Sequence, residues 1–579
     1  MNLISVLLCI VWLLNVRVAV SQEPVVVLRQ GTVRGISVYT EDRRVINAFL
    51  GVPYAAPPTG DLRFAPPERH AGWNRSSLFA GSFAPACPQL QETSNMAPVP
   101  QDEDCLYLNI WTPETAVNFR GRMPVVLLLE GEAFVSGLVS RFPGQDLAGE
   151  GVIVVSVSYR LNVFGFFCLE DSEARGNLGL LDQYFALLWV RENIELFGGD
   201  PRSITLMGHS AGAASVMYHM TSPRTAGLFH RAIVMSGSVT SPWSGAQHPA
   251  NSSRGIARSL GCLATSSRAI LSCLRTKSTA EILRAFESQY KNGNWTAMVL
   301  PVVDSFLPES EQYLPRDPKE VLLTGNYATM PVLTGTTRHE GAVTLYQWSD
   351  LVRQNYLQLR HFFENSAIPT VMEHYGFDKE SNILQILKWQ YLDKAREGSA
   401  HGTEFLYLFG PTLMMKLGAR RFTMDEDRFS KRIRRHWAEF IRQGQAIFSN
   451  PQHIGNPNAP GTFGYGLSWQ RATPEDYNCM VLRSDQQLQQ GQIQKCEMQE
   501  EVASLWNELL PRLKQLSAVD IKGDAGIRNT DSRLGQDTSQ PFRSAMYTLI
   551  GFVTVLLVML VVCLVLLKRH AKERDRELF

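Results

Sequence analysis

Apolar residues in this chain fall into short unbroken runs separated by segments where they recur at helical spacing. Pro124-Val-Val-Leu-Leu-Leu-Glu130, Val152–Val157, Ile204–Met207, Arg231–Met235 and Met330–Thr334 are runs of the first kind. Strands so uniformly apolar are expected where helices cover both faces of a sheet. Phe405–Phe409 reads as a further strand, and Gln101–Trp111 leads into another. Gly179–Phe197 carries apolar positions at helical spacing and predicts a helix ended by Gly198-Gly199. Val25–Tyr39 is rich in β-branched residues and broken at Gly31 and Gly35, which predicts a hairpin. Phe49–Phe64 is too rich in Pro and Gly for regular structure and reads as an ordered surface loop. Val502–Leu513 reads as a closing helix. Strand, helix and strand in alternation predict one α/β domain over residues 22–517, built on a mostly parallel central sheet flanked by helices.

Two apolar segments bracket that domain. Leu3–Leu14 followed by Val18-Ala-Val-Ser21 has the form of a signal peptide, residues 1–21. Residues 545–567 contain no charge and are long enough to cross a bilayer as a single transmembrane helix. Lys568, Arg569, Lys572, Arg574 and Arg576 follow at once. Positive residues favour the cytoplasmic side. The expected layout is therefore a single-pass type I plasma-membrane protein, its ectodomain outside and residues 568–579 inside. Residues 518–544, polar and rich in Gly, Asp and Ser, read as a stalk. The net charge of +1 gives no electrostatic reason to expect nucleic acid as a partner.

An exported ectodomain permits disulfides and glycans. Of nine cysteines, Cys9 and Cys563 lie in the apolar segments, and Cys168 sits in an apolar run as an expected buried thiol. The other six allow fifteen connectivities. Neighbours in sequence are Cys87 with Cys105, Cys262 with Cys273, and Cys479 with Cys496. Asn74, Asn251 and Asn294 open glycosylation acceptor triplets.

The chemistry centres on Gly208-His-Ser-Ala-Gly212, placed between an apolar strand and a helix of small residues. Gly-x-Ser-x-Gly at such a junction is a nucleophile elbow, which lifts a serine hydroxyl, here that of Ser210, above the carboxyl end of the sheet. A Cβ at either flanking glycine would clash in so tight a turn. A serine needs a base to take its proton and a carboxylate to orient that base, in the chain order serine, acid, histidine. Glu340 follows a buried strand, and His401 precedes the Phe405 run.

Together with these motifs, Asn47–Ala55, Glu103-Asp-Cys-Leu-Tyr-Leu-Asn109, Tyr159–Gly165 and Gly176–Gln183 resemble the carboxylesterase/cholinesterase family of α/β-hydrolases. The resemblance covers roughly residues 25 to 515. It implies the α/β-hydrolase fold, a catalytic triad of Ser210, Glu340 and His401, and oxyanion donors at Glu132, Ala133 and Ala211. It also implies disulfides Cys87–Cys105 and Cys262–Cys273, and buried salt bridges Arg63–Glu103 and Arg160–Asp182. It implies pairing of two copies through the closing helix. No metal or organic cofactor is expected, since no cluster has ligand spacing and ester hydrolysis by a triad needs none.

The chain departs from the family in its oxyanion loop, which reads Glu130-Gly-Glu-Ala-Phe134 where glycines are usual. A glutamate at position 132 is strained if that site needs a positive φ. Aimed inward, its carboxylate would repel a developing oxyanion by on the order of 4 kcal/mol, roughly a thousandfold in rate. Ser94-Asn-Met96 stands where cholinesterases carry a choline-binding tryptophan, and His209 stands where they carry a glutamate. Both features argue against choline esters. Trp243 is a candidate wall for the acyl pocket. The expected function is a membrane-anchored extracellular serine esterase acting on a small-molecule ester. The alternative is a catalytically weak adhesion or receptor protein with an extracellular protein partner, which shares this layout.

Overall fold

Strand β7 (Met123–Leu129) runs through the middle of the sheet, and its side chains alternate between two cores. Val125, Leu127 and Leu129 enter one apolar cluster; Val126 and Leu128 enter another. Successive side chains of a strand point to opposite faces, so a strand buried on both must be apolar throughout, as the sequence reading expects.

The computed structural model describes residues 23–73, 76–90, 99–116, 121–241, 243–291, 298–337, 340, 368–369, 372, 403–416, 420–444 and 482. All lie in the first of two units into which the chain divides, Met1–Met498. The strands are β1 (Val25–Leu28), β2 (Gly31–Arg34), β3 (Ile36–Tyr39), β4 (Val45–Pro53), β5 (Ser77–Phe79) and β6 (Tyr107–Pro113). After β7 come β8 (Ile153–Val157), β9 (Gly199–His209), β10 (Arg231–Met235) and β11 (Val332–Gly335). The large sheet has the order β11-β10-β9-β7-β8-β6-β4-β3, and β1-β2-β5 form a small one.

Helix α1 (Leu178–Asn193) covers one face through Leu187 and Val190, joined there by Val216 of α2 (Ala211–Thr221). Helices α3 (Thr403–Leu408) and α4 (Met424–Gln443) cover the other through Phe405, Leu408, Phe429, Ile433 and Trp437. A capping box starts α4: the Glu426 amide donates to Thr423 Oγ1, and the Thr423 amide donates to Glu426 Oε2.

Two expectations are corrected. The large sheet is mixed and, as expected, parallel in its larger part: β7–β11 pair in parallel, and β6, β4 and β3 join in antiparallel ladders. Residue type does not separate these directions once both faces are buried. The run Phe405–Phe409 is helical, not a strand. Its fully buried members, Phe405, Leu408 and Phe409, stand at i, i+3 and i+4, the period of one helix face. The expected surface loop at Phe49–Phe64 starts as strand β4, and Phe49, Tyr54 and Phe64 are buried.

Cys87–Cys105 and Cys262–Cys273 are disulfides, and Cys168 is a buried free thiol whose pKa burial pushes up to about 12. Arg160 grips Asp182 through Nε and Nη2 at 2.8 and 2.7 Å. Arg63 grips Glu103 in the same bidentate way. Among the described residues no helix is long and apolar enough to cross a membrane. The signal peptide, stalk, closing helix, residues 545–567, Cys479, Cys496, Asn74, Asn294 and His401 lie outside the described residues. Asn251 is exposed in the first turn of the helix Pro249–Ser259.

Candidate active site

Strand β9 ends at His209, and α2 starts at Ala211. Ser210, between them, takes φ 54° and ψ −119°. Left-handed backbone at a non-glycine residue is costly and persists only where its surroundings enforce it. Here the Ser210 amide donates to the Met235 carbonyl at the end of β10, and its carbonyl accepts from Ala214. A Cβ on Gly208 would lie 2.1 Å from the Gly212 carbonyl oxygen, and one on Gly212 would lie 1.9 Å from that of Leu129. Both glycines are therefore required by close backbone approach, as expected for an elbow.

The loop after β7 is folded tightly on itself. The Glu132 amide donates to the Ser136 carbonyl at 2.7 Å, and the Val135 amide returns a bond to the Glu132 carbonyl. The Ala211 amide donates to Gly131 at 2.9 Å. Two of the three amides assigned by resemblance to the oxyanion thus hold backbone carbonyls. The strain foreseen at Glu132 falls on the next two residues: Ala133 and Phe134 have φ 49° and 60°.

Glu132 points inward. Ser210 Oγ donates to Glu132 Oε2 at 2.6 Å. Glu132 Oε1 lies 3.4 Å from His209 Nδ1, and His209 Nε2 lies 3.3 Å from Glu404 Oε1. Ser236 Oγ contacts Glu404 Oε1 at 2.8 Å and Glu340 Oε1 at 2.6 Å. Ser210, Glu132, His209, Glu404, Ser236 and Glu340 therefore form one continuous polar chain. Burial opposes charge on His209, but the two carboxylates outweigh it and push its pKa up to about 9. Burial likewise opposes charge on Glu404, and the His209 cation more than offsets this, leaving Glu404 below its usual range. Glu130, one turn of the loop away, is pushed up to about 8 by burial and by the Glu132 charge, with the Leu138 amide partly offsetting them.

Glu340 and Ser210 thus stand at the two ends of this chain. Ala133 and Ala211 flank the Glu132 contact, and Trp243 packs half-buried against a third apolar cluster. Sequence reasoning did not find Glu404 or Ser236. Glu404 lies three residues after His401, and its signal is a carboxylate in the first turn of α3. Among the described residues, no group of three or more His, Cys, Asp or Glu side chains is arranged to hold a metal ion.

A family model described as the carboxylesterase family matches residues 22–400. The chain is 40% identical over 495 residues to acylcarnitine hydrolase of Rattus norvegicus, covering 74% of this chain and 84% of that one. It is 31% identical over 589 residues to acetylcholinesterase of Bungarus fasciatus, covering 89% and 91% respectively. It is 38% identical over 405 residues to carboxylesterase 5A of Felis catus, covering 65% and 71%.

Proposed function

The chain belongs to the carboxylesterase family, and on that premise we propose that it is a serine esterase with Ser210 as nucleophile. The family supports ester hydrolysis in general terms. The observation that carries the finer reading is the strained backbone of Ser210, enforced by two glycines that tolerate no Cβ. Strain of this kind clusters at active sites. Ser210 attacks the ester carbonyl, an acyl-enzyme forms, and water releases the acid. Glu340 and His401 complete the triad. The ectodomain stands outside the cell, anchored by residues 545–567. An uncharged acyl ester is preferred over a choline ester, because the tryptophan that would face the cation is replaced by the Ser94–Met96 stretch.

A second reading, an adhesion or receptor protein with a weak or silent esterase site, is favoured by the oxyanion loop. Its amides at Glu132 and Ala211 hold Ser136 and Gly131, and preorganised donors are a large part of acyl-transfer catalysis. Hydrolysis of p-nitrophenyl acetate by the full chain, beside Ser210→Ala, separates the two. Turnover that disappears in Ser210→Ala supports the esterase. No turnover from folded protein leaves the binding reading.

A further inference from the structure

We propose that Gln89 is a positioning residue for ester hydrolysis: its side-chain amide clamps the neck of the oxyanion loop and so sets where that loop stands beside Ser210. The inference rests on the esterase reading and adds a residue to it.

The loop after β7 is a short hairpin. Its apex is closed by an antiparallel bridge between Glu132 and Ser136. Its neck is where Glu130 and Gly131 meet Gly137. A Cβ on Gly137 would lie 3.2 Å from the Glu130 carbonyl oxygen and 3.3 Å from Gly131 Cα, so the two sides touch through backbone. Of the three amides assigned by resemblance to the oxyanion, those of Glu132 and Ala211 hold carbonyls. The Ala133 amide has no partner among the described residues. Ala133 stands in the apex, so its place is set by whatever holds the hairpin.

Gln89 holds it at the neck. The Gly137 amide donates to Gln89 Oε1 at 3.0 Å, and Gln89 Nε2 donates to the Gly137 carbonyl at 2.9 Å. A backbone residue offers one donor and one acceptor, and a side-chain amide matches both. Gln89 is 4% exposed, and its Nε2 also donates to the Cys87 carbonyl at 3.0 Å. Its own backbone amide donates to Gln101 Oε1 at 3.0 Å, and the disulfide joins Cys87 to Cys105. The clamp is therefore mounted on a cross-linked segment outside the loop. Asn162 ties the same two parts: Nδ2 donates to the Pro88 carbonyl and the backbone amide to that of Phe134, each at 2.8 Å.

Oxyanion donors work because they are in place before the charge develops. Gln89→Met keeps the length and the burial but leaves both Gly137 groups without their partner. Gln89→Glu keeps an acceptor for the Gly137 amide and sets a carboxylate oxygen against the Gly137 carbonyl. Either change frees the neck to shift while the elbow glycines still hold Ser210.

The test uses the full chain in detergent, with working sites counted by fluorophosphonate labelling of Ser210 carried to completion. The probes are p-nitrophenyl acetate, trifluoroacetophenone and acetophenone. Ser210 adds to the trifluoromethyl ketone to give a hemiketal that carries the oxyanion, whereas acetophenone stays a carbonyl. Per labelled site, kcat/KM is expected to fall about a hundredfold in both variants, the cost of a misplacement of about 1 Å. The Ki of trifluoroacetophenone is expected to rise by a similar factor, and that of acetophenone to stay unchanged. A purely structural role would lower the number of sites and leave each one working as in wild type; that result overturns the proposal. Equal weakening of both ketones overturns it, as does faster turnover per site, which would make the clamp a restraint. A structure of the wild-type trifluoroacetophenone adduct needs no variant to fold. It is expected to show the Ala133 amide on the hemiketal oxygen with both Gln89–Gly137 bonds in place, and broken bonds there overturn the assignment. Wild type without Ser210-dependent turnover overturns the esterase reading and this one with it. Ser210-dependent turnover that the Gln89 variants match overturns the role of Gln89 alone.

Discussion

The amide of Ala211 donates to the carbonyl of Gly131 at 2.9 Å. This bond ties the helix that starts at the nucleophile to the loop that starts at the end of β7. An amide engaged in this way has to be released before it can serve an oxyanion. Covalent phosphonylation of Ser210 places a polarised phosphonyl oxygen where that charge would develop. A structure of the phosphonylated protein is therefore expected to show the Ala211 amide donating to the phosphonyl oxygen and no longer to Gly131. An Ala211 amide still on Gly131 in fully labelled protein would show that it takes no part.

The elbow glycines make a separate prediction about stability. A methyl on Gly212 would sit 1.9 Å from the Leu129 carbonyl oxygen, and this neighbour is backbone, which cannot rotate away. Gly212→Ala is expected to cost more than about 3 kcal/mol, the upper part of the range for overpacking. Thermal melting checks it. A melting temperature within a degree or two of wild type would mean that the strand–helix approach is looser than the structure has it.

How far the sequence reaches follows from what each segment buries. β7, β8, β9 and β10 were legible because a strand covered on both faces has no choice but to be apolar. The same logic failed at Phe405–Phe409. Five apolar residues in a row carry no period, and only the burial of Phe405, Leu408 and Phe409 separates a helix from a strand. Helix α4 carries its own local signal, Thr423 and Glu426 at capping-box spacing. Ser210 and Glu340 were placed from local motifs. The Glu132–Ser210 contact was not legible, since it depends on a loop conformation in which Ala133 and Phe134, rather than Glu132, take positive φ. Ser236 had no local signal at all; the sheet brings it between Glu340 and Glu404.

His209 ties stability to pH. Its folded pKa of about 9 lies above its ordinary 6.5, so the native state holds this proton more tightly. The contribution is complete below about 6.5 and is lost as pH rises through about 9. It amounts to on the order of 3 kcal/mol. His209→Asn is expected to be less stable than wild type at pH 6, with the gap narrowing by pH 10. Denaturant melts across that range check it, and a gap independent of pH would mean that folding leaves the His209 pKa unshifted.

Glu130 acts in the same direction for the opposite reason. Burial and the Glu132 charge raise its pKa from 4.5 to about 8, so folding favours the neutral acid. Its ionisation destabilises the native state progressively as pH rises from about 4.5 to about 8, by at most about 5 kcal/mol. Glu130→Gln keeps an acceptor for the Leu138 amide, which now bonds Oε2 at 2.7 Å. The variant is expected to match wild type near pH 4 and to melt higher at pH 8. A variant less stable than wild type at pH 8 would refute a neutral Glu130.

The Arg160–Asp182 pair is deeply buried, with both side chains at most 3% exposed. Asp182 lies in α1 and is fully buried; Arg160 is 3% exposed and also donates Nη1 to the Ala65 carbonyl. Burial raises the Asp182 pKa, while the Arg160 charge and hydrogen bonds oppose it. Asp182→Asn strands a buried guanidinium, and removing one partner of such a pair costs about 3–5 kcal/mol. Replacing both at once, as in Arg160→Met with Asp182→Leu, leaves no unpaired charge and is expected to recover most of that loss. Urea midpoints of the two variants test this directly. If the double variant is as unstable as Asp182→Asn, the Ala65 bond and the surrounding packing hold this region, and the ion pair is incidental to it.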